Sequence, residues 1–256
     1  MNKPVGLEGL KMQMEELARK GEAFRKGGAK VPHVVMNLAR ENGQSVAADY
    51  ITSVLYDNRL RRFRGMDCLL EYRLDGSMKQ LKRVFEDISD NAVYTNEYEG
   101  VAAIDISALA ECANEIQTDY FVEQIKETAK SATVIIFYDE SLGGRIRSVK
   151  ERVLRALGNY IEVSTEPYSQ REYSEIIVRN IRERGIEIES GEESEKILGS
   201  IVEENHVTNA GEAASLADDL LFCADYSDFR PRITAKSLSE YADKWKSADK
   251  RSGYEK

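Results

Sequence analysis

The residues able to do chemistry are few and lie far apart in this chain. The densest cluster is Arg59-Leu60-Arg61-Arg62-Phe63-Arg64, four guanidiniums around one aromatic ring. Guanidinium groups make paired hydrogen bonds to phosphates and carboxylates. The patch therefore fits a nucleic-acid backbone, an acidic partner surface or a solvated helix end. A second candidate is Asn42-Gly43-Gln44-Ser45. Asn-Gly favours a turn, and a serine beyond it can cap a following helix. A third is Asp105, which closes the apolar run Val101-Ala102-Ala103-Ile104; an aspartate there caps the next turn. The histidines are His33 and His206, and the cysteines Cys68, Cys112 and Cys223 are widely spaced. No metal site and no redox pair is expected from them.

Charge narrows the classes of partner. The chain has 256 residues and a net charge of −9. Eleven acids and one base fall between Ile186 and Asp225, whereas the rest holds 34 acids and 35 bases. The acidity therefore belongs to one region, and the chain as a whole is no generic polyanion binder. Nucleic acid is not the expected partner on this balance. No apolar run approaches the roughly 20 residues of a membrane helix, and the first residues form no apolar signal core. A soluble, cytoplasmic protein is expected.

The positioning elements follow from periodicity. Leu7 to Phe24 places Leu7, Leu10, Met14 and Leu17 at helical spacing. Short apolar runs at 31–37, 68–72, 101–105, 132–138 and 160–163 read as strands, most of them without alternation, as in sheets covered on both faces. Helices are expected after Ser45, after Ser77, over 119–129 and over 145–157. After Pro167 only helical patterns recur, at 169–185, 192–204, 209–224 and 234–245. The fold class expected is α/β, a parallel sheet with helices on both faces over 1–166, then a small all-helical unit over 167–246 and a polar tail over 247–256.

This order of elements resembles the AAA+ ATPases, most closely the branch of stage V sporulation protein K and red-type Rubisco activase. The resemblance spans about Pro4 to Ala224 and rests on weak motifs taken in order. Val5-Gly6-Leu7-Glu8-Gly9-Leu10-Lys11 resembles the opening segment of that branch. Tyr168-Ser169 resembles its lid entry, and Thr208-Asn209-Ala210-Gly211 aligns with its lid G-N-A-R. The resemblance implies a phosphate loop, G-x-x-x-x-G-K-[ST], at Leu38 to Ser45. Gly43 and Ser45 match that loop, while Gln44 stands at the lysine. The apolar strand followed by Asp-Glu becomes Asp105-Ile106, so the water-polarising carboxylate is missing and Asp105 has a magnesium role as a second reading. Gly211 stands at the lid arginine, Arg152 and Arg155 are the nearest substitutes for an arginine finger, and the aromatic pore loop is deleted after Tyr72.

On this reading Gly43, Gln44, Ser45, Asp105 and Asn209 are the remnant of a nucleotide site, with no catalytic residue. ATP or ADP with magnesium would bind weakly, and no resident cofactor is expected. The expected function is a non-hydrolysing AAA+-like scaffold, adaptor or regulatory subunit, partnered by an active relative or another assembly. Two alternatives stand beside it. One is an ATPase active only in a ring that supplies groups in trans; the other is a clamp-loader-like subunit associated with nucleic acid. Arg59, Arg61, Arg62 and Arg64 are the expected interaction patch.

Overall fold

Apolar runs bounded by turn residues become the strands of one parallel sheet. The chain is described by a computed structural model covering residues 3–28, 30–60, 69–74, 77–94, 100–227 and 230–252. In order, its first unit contains α1 (Glu8–Gly27), β1 (His33–Asn37), α2 (Gln44–Asp57), β2 (Leu69–Arg73), α3 (Met78–Tyr94) and β3 (Val101–Asp105). It continues through α4 (Ser107–Cys112), α5 (Glu115–Thr128), β4 (Thr133–Tyr138), α6 (Gly144–Leu157) and β5 (Tyr160–Ser164). The strands pair in the order β2-β3-β4-β1-β5, all parallel. Every residue of β3 and β4 is buried, which is why those runs read as continuous rather than alternating.

The pleat divides this core in two. Val35, Ala102, Ile104, Val134 and Ile136 face one way and pack on Leu81, Phe85, Phe121, Ile125, Val149 and Val153 of α3, α5 and α6. Residues of the opposite parity, Val34, Met36, Ala103, Ile135 and Phe137, are also buried. That side is covered by α1 and α2, which pack on each other and on β5 and β2. Helix α1 buries Leu10, Met14 and Leu17. Gly9 has no room to be anything else, because a Cβ there would lie 2.8 Å from the Ser164 carbonyl oxygen. The glycine of the opening motif is thus a packing requirement between α1 and β5.

The chain divides into compact units at Glu166 and Pro167. The second contains α7 (Gln170–Glu183), β6 (Glu187–Ile188), α8 (Glu192–Glu204), α9 (Ala210–Leu220), β7 (Arg232–Ile233) and α10 (Ala235–Ser252). Its core is Tyr173, Ile177, Ile181, Leu198, Ile201, Leu216, Leu220 and Leu238. The unit is not wholly helical, since β6 and β7 form a two-residue parallel ladder. Helix α10 also continues through Ser252, into the stretch expected to be a polar tail.

Candidate functional site

In an open parallel sheet, ligands settle outside the carboxyl ends of the strands, where successive connections diverge to opposite sides. Here that point lies beside the interior strand β1, whose following loop, Leu38 to Gly43, leads into α2. The loop is tied down at its start: the Leu38 N–H donates to the Tyr138 carbonyl at 2.9 Å. Asn37 Oδ1 accepts from the Glu140 N–H at 3.1 Å, and Thr165 Oγ1 donates to the Asn37 carbonyl at 2.6 Å. Gly43 takes φ 85° and Glu41 takes φ 63°, so the turn requires left-handed backbone at both. A glycine supplies it at one; at the other a glutamate bears the strain.

The side chains of this loop are spent on the protein itself. Gln44 is buried, and its Nε2 turns back to donate to the Leu38 carbonyl at 2.8 Å. Gly43, not Ser45, occupies the N-cap position of α2. The expected serine cap is therefore absent: Ser45 sits one residue inside the helix, and its Oγ donates to Glu71 Oε2 at 2.6 Å. Arg40 Nε donates to Asp105 Oδ2 at 3.0 Å, and the other oxygen, Oδ1, accepts from the Ser107 N–H at 2.9 Å. Asp105 is 2% exposed, so it is a buried carboxylate with both oxygens engaged. Ile106 follows, fully buried in the core beneath α4.

These residues border a cavity of about 230 Å³ lined by Gln44, Ser45, Glu71, Arg73, Asp105 and Phe137. The structure thus brings Gln44, Ser45 and Asp105 together, with Gly43 as the hinge of the loop. Glu71 and Arg73 were missed by sequence reasoning, and the direction of Arg40, a cation within the loop, is not fixed by sequence. The available signal was a lone acid inside the apolar strand 68–72; the parallel register sets Glu71 beside Ala103 and Arg73 beside Asp105.

Asn209 belongs to the second unit. Its side chain accepts from the Glu212 N–H at 2.8 Å and caps α9, while the Glu212 carboxylate accepts from the Thr208 N–H at 2.7 Å and its hydroxyl at 3.0 Å. These bonds, the Thr208 N–H first, hold the Glu212 carboxyl below its ordinary value. Much of the acidic segment is local structure of this kind. Glu192, Glu193 and Glu195 fill the first turn of α8, where the helix dipole favours anions. Glu189 caps α10 through the Ala235 N–H at 2.8 Å, and Asp218 pairs with Arg184.

The arginine-finger substitutes are also engaged. Arg152 pairs with Glu115 at 3.0 Å and with Asp119, and Arg155 Nε donates to the Glu151 carbonyl at 3.2 Å. Of the interaction patch, Arg59 is described, whereas Arg61, Arg62 and Arg64 lie outside the described residues.

No protein-family model and no curated protein sequence matches the chain. Solved structures do. A structure of Thermotoga maritima RuvB, described as a Holliday junction branch migration motor, aligns with a TM-score of 0.55 at 17% identity. The alignment covers 92% of this chain and 68% of that one. A single-residue variant of the same protein aligns at 0.53 with 16% identity and the same coverage. The fold they share is a parallel α/β sheet with helices on both faces, consistent with AAA+ architecture. At such identity the likeness concerns architecture, and the chemistry of this chain must come from its own residues.

Proposed function

We infer that this chain is a non-hydrolysing member of an AAA+ assembly, acting as a scaffold, adaptor or regulatory subunit. One observation carries the reading: the phosphate-loop position is closed on itself by protein groups. A working loop turns its N–H groups and a lysine toward phosphate and its hydroxyl toward magnesium. In this loop the Gln44 amide bonds the loop's own carbonyl and the Ser45 hydroxyl bonds a carboxylate. The loop's own cation, the Arg40 guanidinium, is held by Asp105, while Arg73 lines the cavity from β2. A phosphate oxygen placed about 5 Å from Glu71 would be opposed by about 3 kcal/mol per unit charge at an effective dielectric near 20. The residues present therefore do not fit a magnesium triphosphate, and no step of hydrolysis is derived through one.

Ile106 supports the same reading for turnover. The position that would polarise water holds a fully buried hydrocarbon, and the neighbouring Asp105 is already doubly bonded. The order of motifs from Val5 to Lys11, Tyr168-Ser169 and Thr208 to Gly211 supports a place near the stage V sporulation protein K and red-type Rubisco activase branch. Calorimetry with ATP and ADP plus magnesium, beside a phosphate-release assay, tests the function. The expected result is no micromolar binding and no release above background. Tight binding accompanied by turnover from the isolated chain would overturn it.

A further inference from the structure

A second polar site lies at the opposite end of α2, about 20 Å from the loop by the rise of a 14-residue helix. There the C-terminal half of α1 meets the end of α2 in a groove of about 400 Å³. Arg19, Arg25 and Arg59 line it, with Glu22, Asp57 and Asn58, around the buried Gly21. The close approach is made by that glycine, whose Cβ would lie 3.6 Å from Cβ of Asn58. On α1 the lysines are spoken for: Lys20 pairs with Glu16 at 2.5 Å and Lys26 with Glu22 at 2.6 Å. Arg19, Arg25 and Arg59 have no carboxylate within ion-pair distance among the described residues.

Arg59 adds a backbone observation. Its N–H donates to Tyr56 O at 2.8 Å, and the Leu60 N–H donates to Leu55 O at 2.8 Å. This is a Schellman ending with Arg59 at the left-handed position, φ 56°, where glycine is favoured. The chain keeps a guanidinium where the backbone alone would prefer none.

The sequence around the groove is basic on an acidic protein. Among the described residues, segment 19–28 carries four bases and one acid, and the groove itself sets three arginines against Glu22 and Asp57. A protein-docking surface is anchored by buried aromatic or aliphatic side chains. No large apolar side chain lines this groove. Contact with phosphates needs none, because counterion release supplies the binding free energy. We propose that the α1–α2 groove binds the phosphate backbone of a nucleic acid without reading its sequence, through Arg19, Arg25 and Arg59. The proposal stands apart from the nucleotide-loop reading and uses none of its residues.

The test titrates the full chain into a fluorescein-labelled, mixed-sequence DNA duplex and into a labelled poly-glutamate peptide, followed by anisotropy at about 50 and about 200 mM salt. Three phosphate contacts predict an affinity for the duplex that falls on the order of 40-fold between these salts. Arg59→Gly is expected to lower the slope of log affinity on log salt by about 1, and its left-handed position lets it melt no lower than the parent. Arg19→Ala, Arg25→Ala and Arg59→Gly combined remove the salt-dependent binding. The proposal is overturned if the duplex is unbound at low salt, if the triple variant binds like the parent, or if the peptide binds more tightly than the duplex.

Discussion

At the scale of the residue, the site turns on how a few polar groups satisfy one another. Asp105 is buried and charged, and such a group is tolerated only when paired and hydrogen-bonded. Arg40 supplies the pair from a half-exposed position, 47% accessible, so solvent weakens it. Arg40→Ala is expected to cost about 1–3 kcal/mol in urea unfolding, because it strands a buried carboxylate. Asp105→Asn should recover part of that loss in the Arg40→Ala background. A double-mutant cycle with zero coupling would show that the pair contributes nothing. The closed loop makes a second prediction. Gln44→Lys restores the missing charge yet leaves Glu71 on Ser45, so ATP with magnesium should not raise its melting temperature. Gln44→Lys combined with Glu71→Gln should respond to ATP with a rise in melting temperature. Neither outcome was legible in the sequence. Gln44 was visible as the wrong residue for a lysine position, but the partners of Ser45 and Asp105 come from β2 and from the loop itself, 26 and 65 residues away in the chain. Only the parallel register sets those side chains side by side.

At the scale of the element, hydrophobic runs carried the fold and local capping carried the boundaries. Val101 to Asp105 reads as a strand because all five positions are buried, and it folds with those bounds. Helix α4 escapes a periodicity reading because six residues make fewer than two turns. Helix α5 begins at Glu115 rather than Asp119, since Asn114 and Gln117 form a reciprocal capping box. The β6–β7 ladder is too short to leave an alternating pattern, and its partners are far apart in sequence. Two predictions belong here. Gly9→Ala pushes a methyl to 2.8 Å from a backbone oxygen and should cost about 1–3 kcal/mol, read as a lower urea midpoint. An unchanged midpoint would mean that α1 shifts freely over β5. The Glu212 carboxylate, whose pKa is lowered by Thr208, stabilises the α9 cap above its ordinary value of 4.5 and loses that contribution as pH falls through its lowered value. The group is exposed, so the effect is at most about 1 kcal/mol. Glu212→Ala should flatten the acid limb of thermal stability; a parent and variant with parallel limbs would exclude this cap as the cause.

At the scale of the whole molecule, charge is segregated: a basic groove in the first unit, and the acidic segment 186–225 in the second. The acids of the second unit act on its phenols. Burial first, then Glu172 and Tyr173, push Tyr168 up to about 12. Burial raises Tyr173 as well, reinforced by Glu212 and Glu172, and it raises Tyr241, reinforced by Asp219. Tyr168 and Tyr173 lie 5.7 Å apart, and the Tyr173 hydroxyl donates to the Thr208 carbonyl at 2.6 Å, so ionising either phenol disturbs the α7–α9 packing. A phenol whose folded pKa lies above its unfolded value of 10.0 contributes stability that is complete below pH 10 and is lost as pH climbs through the folded value. For Tyr168 that window runs from about 10 to about 12, and the loss is on the order of 2 kcal/mol. Tyr168→Phe should therefore match the parent in acid-to-neutral melting, apart from a small packing change, and exceed it in helical ellipticity near pH 11. Tyrosinate absorbance should show one phenol fewer in the late step of the parent's alkaline titration. If parent and variant lose helicity at the same pH, alkaline unfolding begins at a group other than Tyr168, and its raised pKa has no hold on the stability of this core.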